Sequence, residues 1–75
     1  MDKDKKRLTL YVDGASRGNP GPAAIGVIIK DQGDTTILKV SSYIGKTTNN
    51  QAEYTALATA LREACKLGAD HVDIR

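Results

Sequence analysis

The hydrophobic period of this chain changes twice, and the order of the changes narrows the folds open to it. Residues 7–13 alternate Leu8, Leu10 and Val12 against Thr9, Tyr11 and Asp13, the period of two that gives a strand two unlike faces. Residues 23–30, rich in Ile and Val, and residues 35–44 read as two further strands joined by the hairpin-type turn Asp31-Gln32-Gly33-Asp34. From Thr48 the step lengthens: Ala56, Leu57, Ala60, Leu61, Ala64 and Leu67 recur at three- and four-residue intervals, one apolar stripe on a helix. Thr48-x-x-Gln51 and Asn50-x-x-Glu53 both have capping-box spacing, and Gly68 is placed to end the helix. Residues 71–75 alternate again, with Val72 and Ile74 on the core side. Strands joined by tight turns form an antiparallel meander. A helix followed by a strand is a crossover, and the right-handed rule makes that last strand parallel to an earlier one. The expectation is an α/β fold: a three-stranded meander, one crossover helix, and a fourth strand beside and parallel to the first.

At 75 residues the chain makes one small domain with little stability to spare. A single cysteine, Cys65, excludes an intrachain disulfide and any cysteine-rich metal site. A reducing, cytoplasmic setting follows, with Cys65 expected as a small buried side chain. The longest apolar stretches are broken by Gly26 and are too short to span a bilayer, so no membrane partner is expected. Residues 1–7 are charged and lack an apolar segment behind them, which reads as a flexible leader and not a signal peptide, with the folded part over residues 8–75. The net charge of +2 permits nucleic-acid binding without arguing for it.

Two acids stand out. Asp13 ends the first alternating run and opens into Gly14-Ala15-Ser16-Arg17-Gly18-Asn19-Pro20-Gly21-Pro22, a stretch expected to be a tight turn with positive φ at Gly18 or Gly21. Glu53 stands at the head of the helix, expected in its first turn, and shares the stripe through Leu57 and Leu61. A strand-end carboxylate and a helix carboxylate can converge on a hard divalent cation, and with the carboxyl ends of parallel strands nearby this is where open α/β sheets bind ligands. Cations so held can activate water and neutralise a phosphate. Each acid also has an ordinary structural role: Asp before Gly is a turn residue, and Glu near a helix start favours the macrodipole. Residues 47–51 also serve simply as a cap, and Gly18-Asn19-Pro20-Gly21 simply as a turn. Asp70 and Asp73 are the remaining late acids. His71 reads as a surface residue, and Arg17 is open to either phosphate or solvent.

Taken together, Tyr11-Val12-Asp13-Gly14-Ala15-Ser16-Arg17-Gly18-Asn19-Pro20-Gly21-Pro22, then Ile25-Gly26-Val27, then Thr48-Asn49-Asn50-Gln51-Ala52-Glu53-Tyr54-x-Ala56-Leu57 resemble the type 1 ribonuclease H of prokaryotes, over nearly all of residues 8–75. The resemblance implies endonuclease cleavage of the RNA strand of RNA–DNA hybrids with Mg2+, Mn2+ being the alternative. It implies that Asp13 and Glu53 are the matching catalytic and metal-binding acids, and that Asn19, Asn49 and Asn50 reach the minor groove, where 2′-hydroxyls mark RNA. It further implies that Thr48 and Lys46 contact a DNA phosphate and that backbone amides of Gly14, Ala15 and Ser16 face the RNA backbone. The family's third and fourth carboxylates would lie beyond Arg75, so the chain corresponds to the amino-terminal half of the enzyme and is expected to be weak or inactive alone.

Two rival expectations stand beside that one. One helix covers one sheet face, leaving the other face and the last strand's edge open, which predicts a homodimer or pairing with a complementary carboxy-terminal half. Alternatively the asparagines bind nucleic acid without cleavage, in which case binding would survive chelation of the metal.

Overall fold

The alternation at the start of the chain becomes β1, Arg7–Ser16, in a computed structural model that describes residues 6–75. After it come β2, Gly21–Lys30; β3, Thr36–Thr47; α1, Asn49–Lys66; and β4, His71–Ile74. The sheet order is β3-β2-β1-β4, antiparallel except that β4 runs parallel to β1, as the crossover rule requires. Register puts Leu10 opposite Ile29, Val12 opposite Val27 and Leu8 opposite Val72. Every apolar alternate of the central pair therefore reaches one face. Leu8, Leu10, Val27 and Ile29 are fully buried there against Ala60 and Ala64 of α1, with Val12, Leu38, Val40, Leu67, Ala69 and Val72 around them. Each of those four large side chains contributes about 1.5–3 kcal/mol of burial.

The stripe that α1 buries is narrower than the periodicity predicts. Its buried residues are Ala52, Ala56, Ala60 and Ala64, a seam at every fourth position, while Leu57 is half-buried and Leu61 exposed. The cause is how closely the helix lies on β1. A Cβ built on Gly14 would fall 2.3 Å from the Ala52 carbonyl oxygen, so the contact admits methyl-sized side chains and displaces the leucines to its flank. Cys65, expected to be buried, is exposed. It follows Ala64 by about 100° around the helix, which turns it off the seam.

Both ends of α1 are satisfied locally. Thr48 is the N-cap and its Oγ1 accepts from the Gln51 amide at 3.2 Å, so the first of the two capping spacings is the one used. Asn50 then lies inside the helix, and Glu53 falls in the second turn, with no acid in the first. At the other end Gly68 has φ 79; its amide donates to Cys65 O at 3.0 Å and that of Ala69 to Ala64 O at 3.1 Å, the Schellman pair.

Strand boundaries differ from the sequence reading. β1 continues past Asp13, and residues 14–16 pair with Ile25, Ala24 and Ala23, so the turn is confined to residues 17–20. That turn has Gly18 at φ 87 and a cis Asn19–Pro20 bond, and Arg17 N donates to Pro22 O at 2.8 Å. The β2–β3 hairpin is organised by Asp31, whose Oδ1 accepts from Gly33 N at 2.9 Å and Thr35 N at 3.0 Å. Of the segment expected to be a flexible leader, residues 1–5 lie outside the described residues, while Lys6 and Arg7 are part of the fold. Lys6 N donates to Asp70 Oδ2 at 2.7 Å and its Nζ to the Leu67 carbonyl at 2.6 Å, placing a cation on the last carbonyls of α1. No helix among the described residues is long and apolar enough to cross a membrane.

Candidate active site

Asp13 owes its position to a notch in the sheet. The β1–β4 register ends at Leu10 opposite Ile74, and the last bond across it is Val12 N to Arg75 O at 3.4 Å. β1 runs on alone on that side, so Asp13 lies just past the carboxyl end of β4 with an open flank. Gly26 of β2 is its partner on the other side.

Glu53 is brought there by the strand–helix contact. Gly14 meets the backbone of Ala52, and a Cβ on Gly14 would also lie 2.8 Å from Glu53 N. Asp13 and Glu53 are thus each one residue from the point where the two backbones come closest. They line a common cleft of about 270 Å³ with Val12, Gly14, Leu57 and Ile74. Glu53 also borders a depression of about 310 Å³ with Asn50, Tyr54 and Leu57. Both acids are exposed, and the cleft they share is walled by Val12, Leu57 and Ile74.

The donor chemistry suits a magnesium-like ion, which takes one or two carboxylates and fills its remaining positions with water and phosphate oxygens. It stops at two acids: among the described residues no group of three or more His, Cys, Asp or Glu side chains is placed to hold a metal. The late acids are elsewhere. Asp70 is engaged by Lys6. Asp73 pairs in register with Thr9, four residues along β1 from Asp13 and roughly 13 Å away at strand rise, and its Oδ1 lies 3.5 Å from His71 Nε2.

The residues expected at nucleic acid fall into two groups. Ser16, Asn19 and Asn49 are joined directly. The Ser16 amide donates to Asn49 Oδ1 at 2.7 Å, its hydroxyl lies 3.2 Å from the same oxygen, and Asn49 N donates to Asn19 Oδ1 at 3.2 Å. The Ser16 amide, expected to face an RNA backbone, is therefore turned to Asn49. Gly14 is packed under α1, and Ala15 is exposed opposite Ala24. Asn50 is exposed at the Glu53 depression, and Lys46 is exposed on β3 opposite Pro22, two residues before the cap residue Thr48. The role of Gly14 as the contact that brings the segments of both acids to one cleft escaped the sequence reading. Its signal was present as a glycine next to Asp13 and an alanine next to Glu53, small residues that allow close backbone approach.

The family profile described as RNase H matches residues 5–75. The chain is 46% identical over 69 residues to ribonuclease HI of Halobacterium salinarum, covering 92% of this chain and 35% of that protein. The crystal structure of RNase H1 from that archaeon superposes with a TM-score of 0.87 at 46% identity, covering 92% of this chain and 52% of that one. LC11-RNase H1, solved in complex with an RNA/DNA hybrid, superposes with a TM-score of 0.83 at 47% identity, covering 91% and 52%. This chain thus spans about a third of the Halobacterium protein's length and about half of each solved chain. Sheet order, parallel β4, the single crossover helix and these likenesses agree: the chain belongs to the ribonuclease H family.

Proposed function

We propose that this chain carries the amino-terminal part of a ribonuclease H active site, with RNA–DNA hybrid as its substrate and Asp13 and Glu53 as the acids that hold its metal. The observation that carries the reading is the shared cleft between those two acids, each one residue from the Gly14–Ala52 contact. A relative solved with hybrid bound supports the substrate. Bound between the acids, Mg2+, or Mn2+ in its place, would supply charge neutralisation at the phosphate and a water acidic enough to attack it. The chain's own groups do the rest. Asp13 and Glu53 would hold that ion, and Val12, Leu57 and Ile74 form the apolar wall of the cleft beside them. Asn19, Asn49 and Asn50 hold the minor groove, and Lys46 and Thr48 anchor the companion strand by a phosphate. With only two acids the chain cleaves weakly or not at all by itself, and a complementary carboxy-terminal half restores the missing ligands.

Calorimetric titration with Mg2+, joined to a hybrid-cleavage assay, tests this. Asp13→Asn and Glu53→Gln are each expected to lower Mg2+ affinity about tenfold or more, the loss of a charge-assisted ligand. They leave stability within about 0.5 kcal/mol, as for surface changes away from packing. Unchanged Mg2+ binding in both variants would remove the metal from the reading. Cleavage that appears only when a carboxy-terminal fragment of a relative is added supports the half-site. Hybrid binding that persists in EDTA and in Asp13→Asn, with no cleavage under any pairing, favours the binding-module reading instead.

Self-association is the second reading. The sheet face away from α1 leaves Tyr11, Ile37 and Tyr43 exposed, and a second copy laid across it gives a homodimer.

A further inference from the structure

We propose that the sheet face away from α1 binds a single strand of RNA, laid across the four strands along the row Arg75, Tyr11, Ile28, Lys39. This surface is additional to the hybrid site and does not rest on that reading.

Register builds the row. Tyr11 pairs with Ile28, and Ile28 with Lys39. On the other side Arg75 N donates to Leu10 O at 2.8 Å and Val12 N to Arg75 O at 3.4 Å, which seats Arg75 beside Tyr11. Four side chains thus share a line that crosses three strand spacings, roughly 14 Å. In order they are a cation, an aromatic ring, an aliphatic chain and a cation. Tyr11 and Arg75 also border two depressions. One, of about 390 Å³, extends toward Arg7 and Thr9, and the other, of about 370 Å³, extends toward Asp13, Gly26 and Ser41. A Cβ built on Gly26 would meet nothing within 4 Å, so the second depression is a dent that no side chain of the described residues fills.

The charges decide what fits. Arg7, Lys39 and Arg75 are exposed on this face, and a purely apolar cover would strand them away from water. The acids around them are mostly engaged. Asp31 Oδ1 accepts from the hairpin amides of Gly33 and Thr35, Asp34 lies 3.5 Å from Lys30 Nζ, and Asp73 lies 3.5 Å from His71 Nε2. A single nucleic-acid strand answers both kinds of group: its bases stack on Tyr11 and Ile28, and its phosphates reach Arg75 and Lys39. Lys30 Nζ, 5.5 Å from the Tyr11 ring centroid, takes one face of that ring and leaves the other for a base. Asp13 selects the sugar. Its carboxylate, bordering the dent, repels phosphate and only accepts hydrogen bonds, and the 2′-hydroxyl is a donor that DNA lacks.

The test uses the full chain in EDTA, with a short fluorescein-labelled oligouridine and its deoxyuridine counterpart as probes. The oligouridine should bind and the deoxy strand should bind a few-fold more weakly. The chain has no tryptophan, so its tyrosine emission can be read directly and should fall as a base stacks. Tyr11→Leu should lose that quenching and weaken binding about tenfold. Lys39→Gln, a change at an exposed position that leaves the fold intact, should reduce the slope of log affinity against log salt by about 0.7, one phosphate contact on a single strand. Lys66→Gln, exposed near the end of α1, should leave the slope unchanged. Hybrid binding, measured with Ca2+, should be the same in all three variants. Equal slopes for Lys39→Gln and Lys66→Gln would overturn the proposal, as would equal affinity for the ribose and deoxyribose strands. Parallel loss of hybrid binding would place the single strand in the hybrid site and overturn the separate surface. Absence of oligouridine binding would also overturn it, and sedimentation of that chain as a dimer would assign the face to a second copy instead.

Discussion

The two faces of the sheet are built from alternate residues of the same strands, yet they are in opposite conditions. On the α1 side Leu8, Leu10, Val27 and Ile29 have no solvent contact. On the other side Tyr11, opposite Ile28 in β2, is 40% exposed and Tyr43 is 69% exposed. The uncovered face carries the polar alternates, Thr9, Asp13, Lys30, Lys39 and Ser41 among them, so the two faces differ in composition as well as in cover. One helix faced with alanines closes one side, and nothing among the described residues closes the other. Stability is therefore concentrated in the β1–β2–α1 layer, and that layer also positions the two acids. Folding and site geometry in this chain depend on the same contact.

Substitutions that break the contrast at its strongest point should have the largest effect. Leu10→Ala removes a fully buried side chain at the centre of the covered face and is expected to cost about 2–5 kcal/mol, enough to unfold much of so small a domain. Urea denaturation followed by circular dichroism measures it. A loss below about 1 kcal/mol would mean that the covered face is not where stability resides.

Gly14→Ala tests whether stability and site share one contact. The new methyl would lie 2.3 Å from the Ala52 carbonyl oxygen and 2.5 Å from its carbon, and backbone atoms cannot rotate away. Strand and helix must separate, at an expected cost of about 1–3 kcal/mol, and Glu53 moves with the helix. Mg2+ affinity should fall together with the melting temperature in this variant, whereas Asp13→Asn loses affinity alone. Normal Mg2+ binding in a destabilised Gly14→Ala chain would mean that stability and metal binding do not share the Gly14–Ala52 contact.

Thr48→Ala removes the side-chain acceptor for the Gln51 amide and should cost about 1 kcal/mol, a shift of several degrees in melting temperature for a domain of this size. The effect belongs to the covered layer because α1 is its roof, and it should be smaller than that of Gly14→Ala because the cap touches neither the buried core nor the Gly14–Ala52 contact.

The order of elements, the parallel last strand, the Thr48 cap and the Gly68 terminus were legible in sequence because each depends on local pattern: period, cap chemistry and crossover handedness. The convergence of Asp13 and Glu53 on one cleft was legible too, from a strand end and a helix on the same side of a crossover. What was not legible depends on distance between segments. Residues 14–16 looked like turn because Gly, Ala and Ser have weak strand preference, yet pairing with residues 23–25 carries β1 through them. The apolar stripe looked leucine-rich because periodicity cannot say how near the sheet lies. Once Gly14 and Ala52 touch, alanines fill the seam, Leu61 and Cys65 are turned outward, and the two acids come to line one cleft. Lys6 looked like leader because its partners, Leu67 and Asp70, lie some sixty residues away in sequence.

The smallest expected effect on folding sharpens the comparison most. Tyr43 is 69% exposed on the uncovered face, and Tyr43→Ser should change the stability of the isolated chain by no more than about 0.5 kcal/mol, as for surface substitutions without buried partners. Its effect on association should be larger. Aromatic side chains dominate the energetics of buried interfaces, so if two copies meet through this face the dimer dissociation constant should rise about tenfold in sedimentation or light scattering. A chain that is monomeric with Tyr43 and monomeric without it would mean that this face is not covered by a second copy. Exposure would then be its state in the isolated chain, and the joining partner would be sought in a segment like the one that occupies the remainder of its longer relatives.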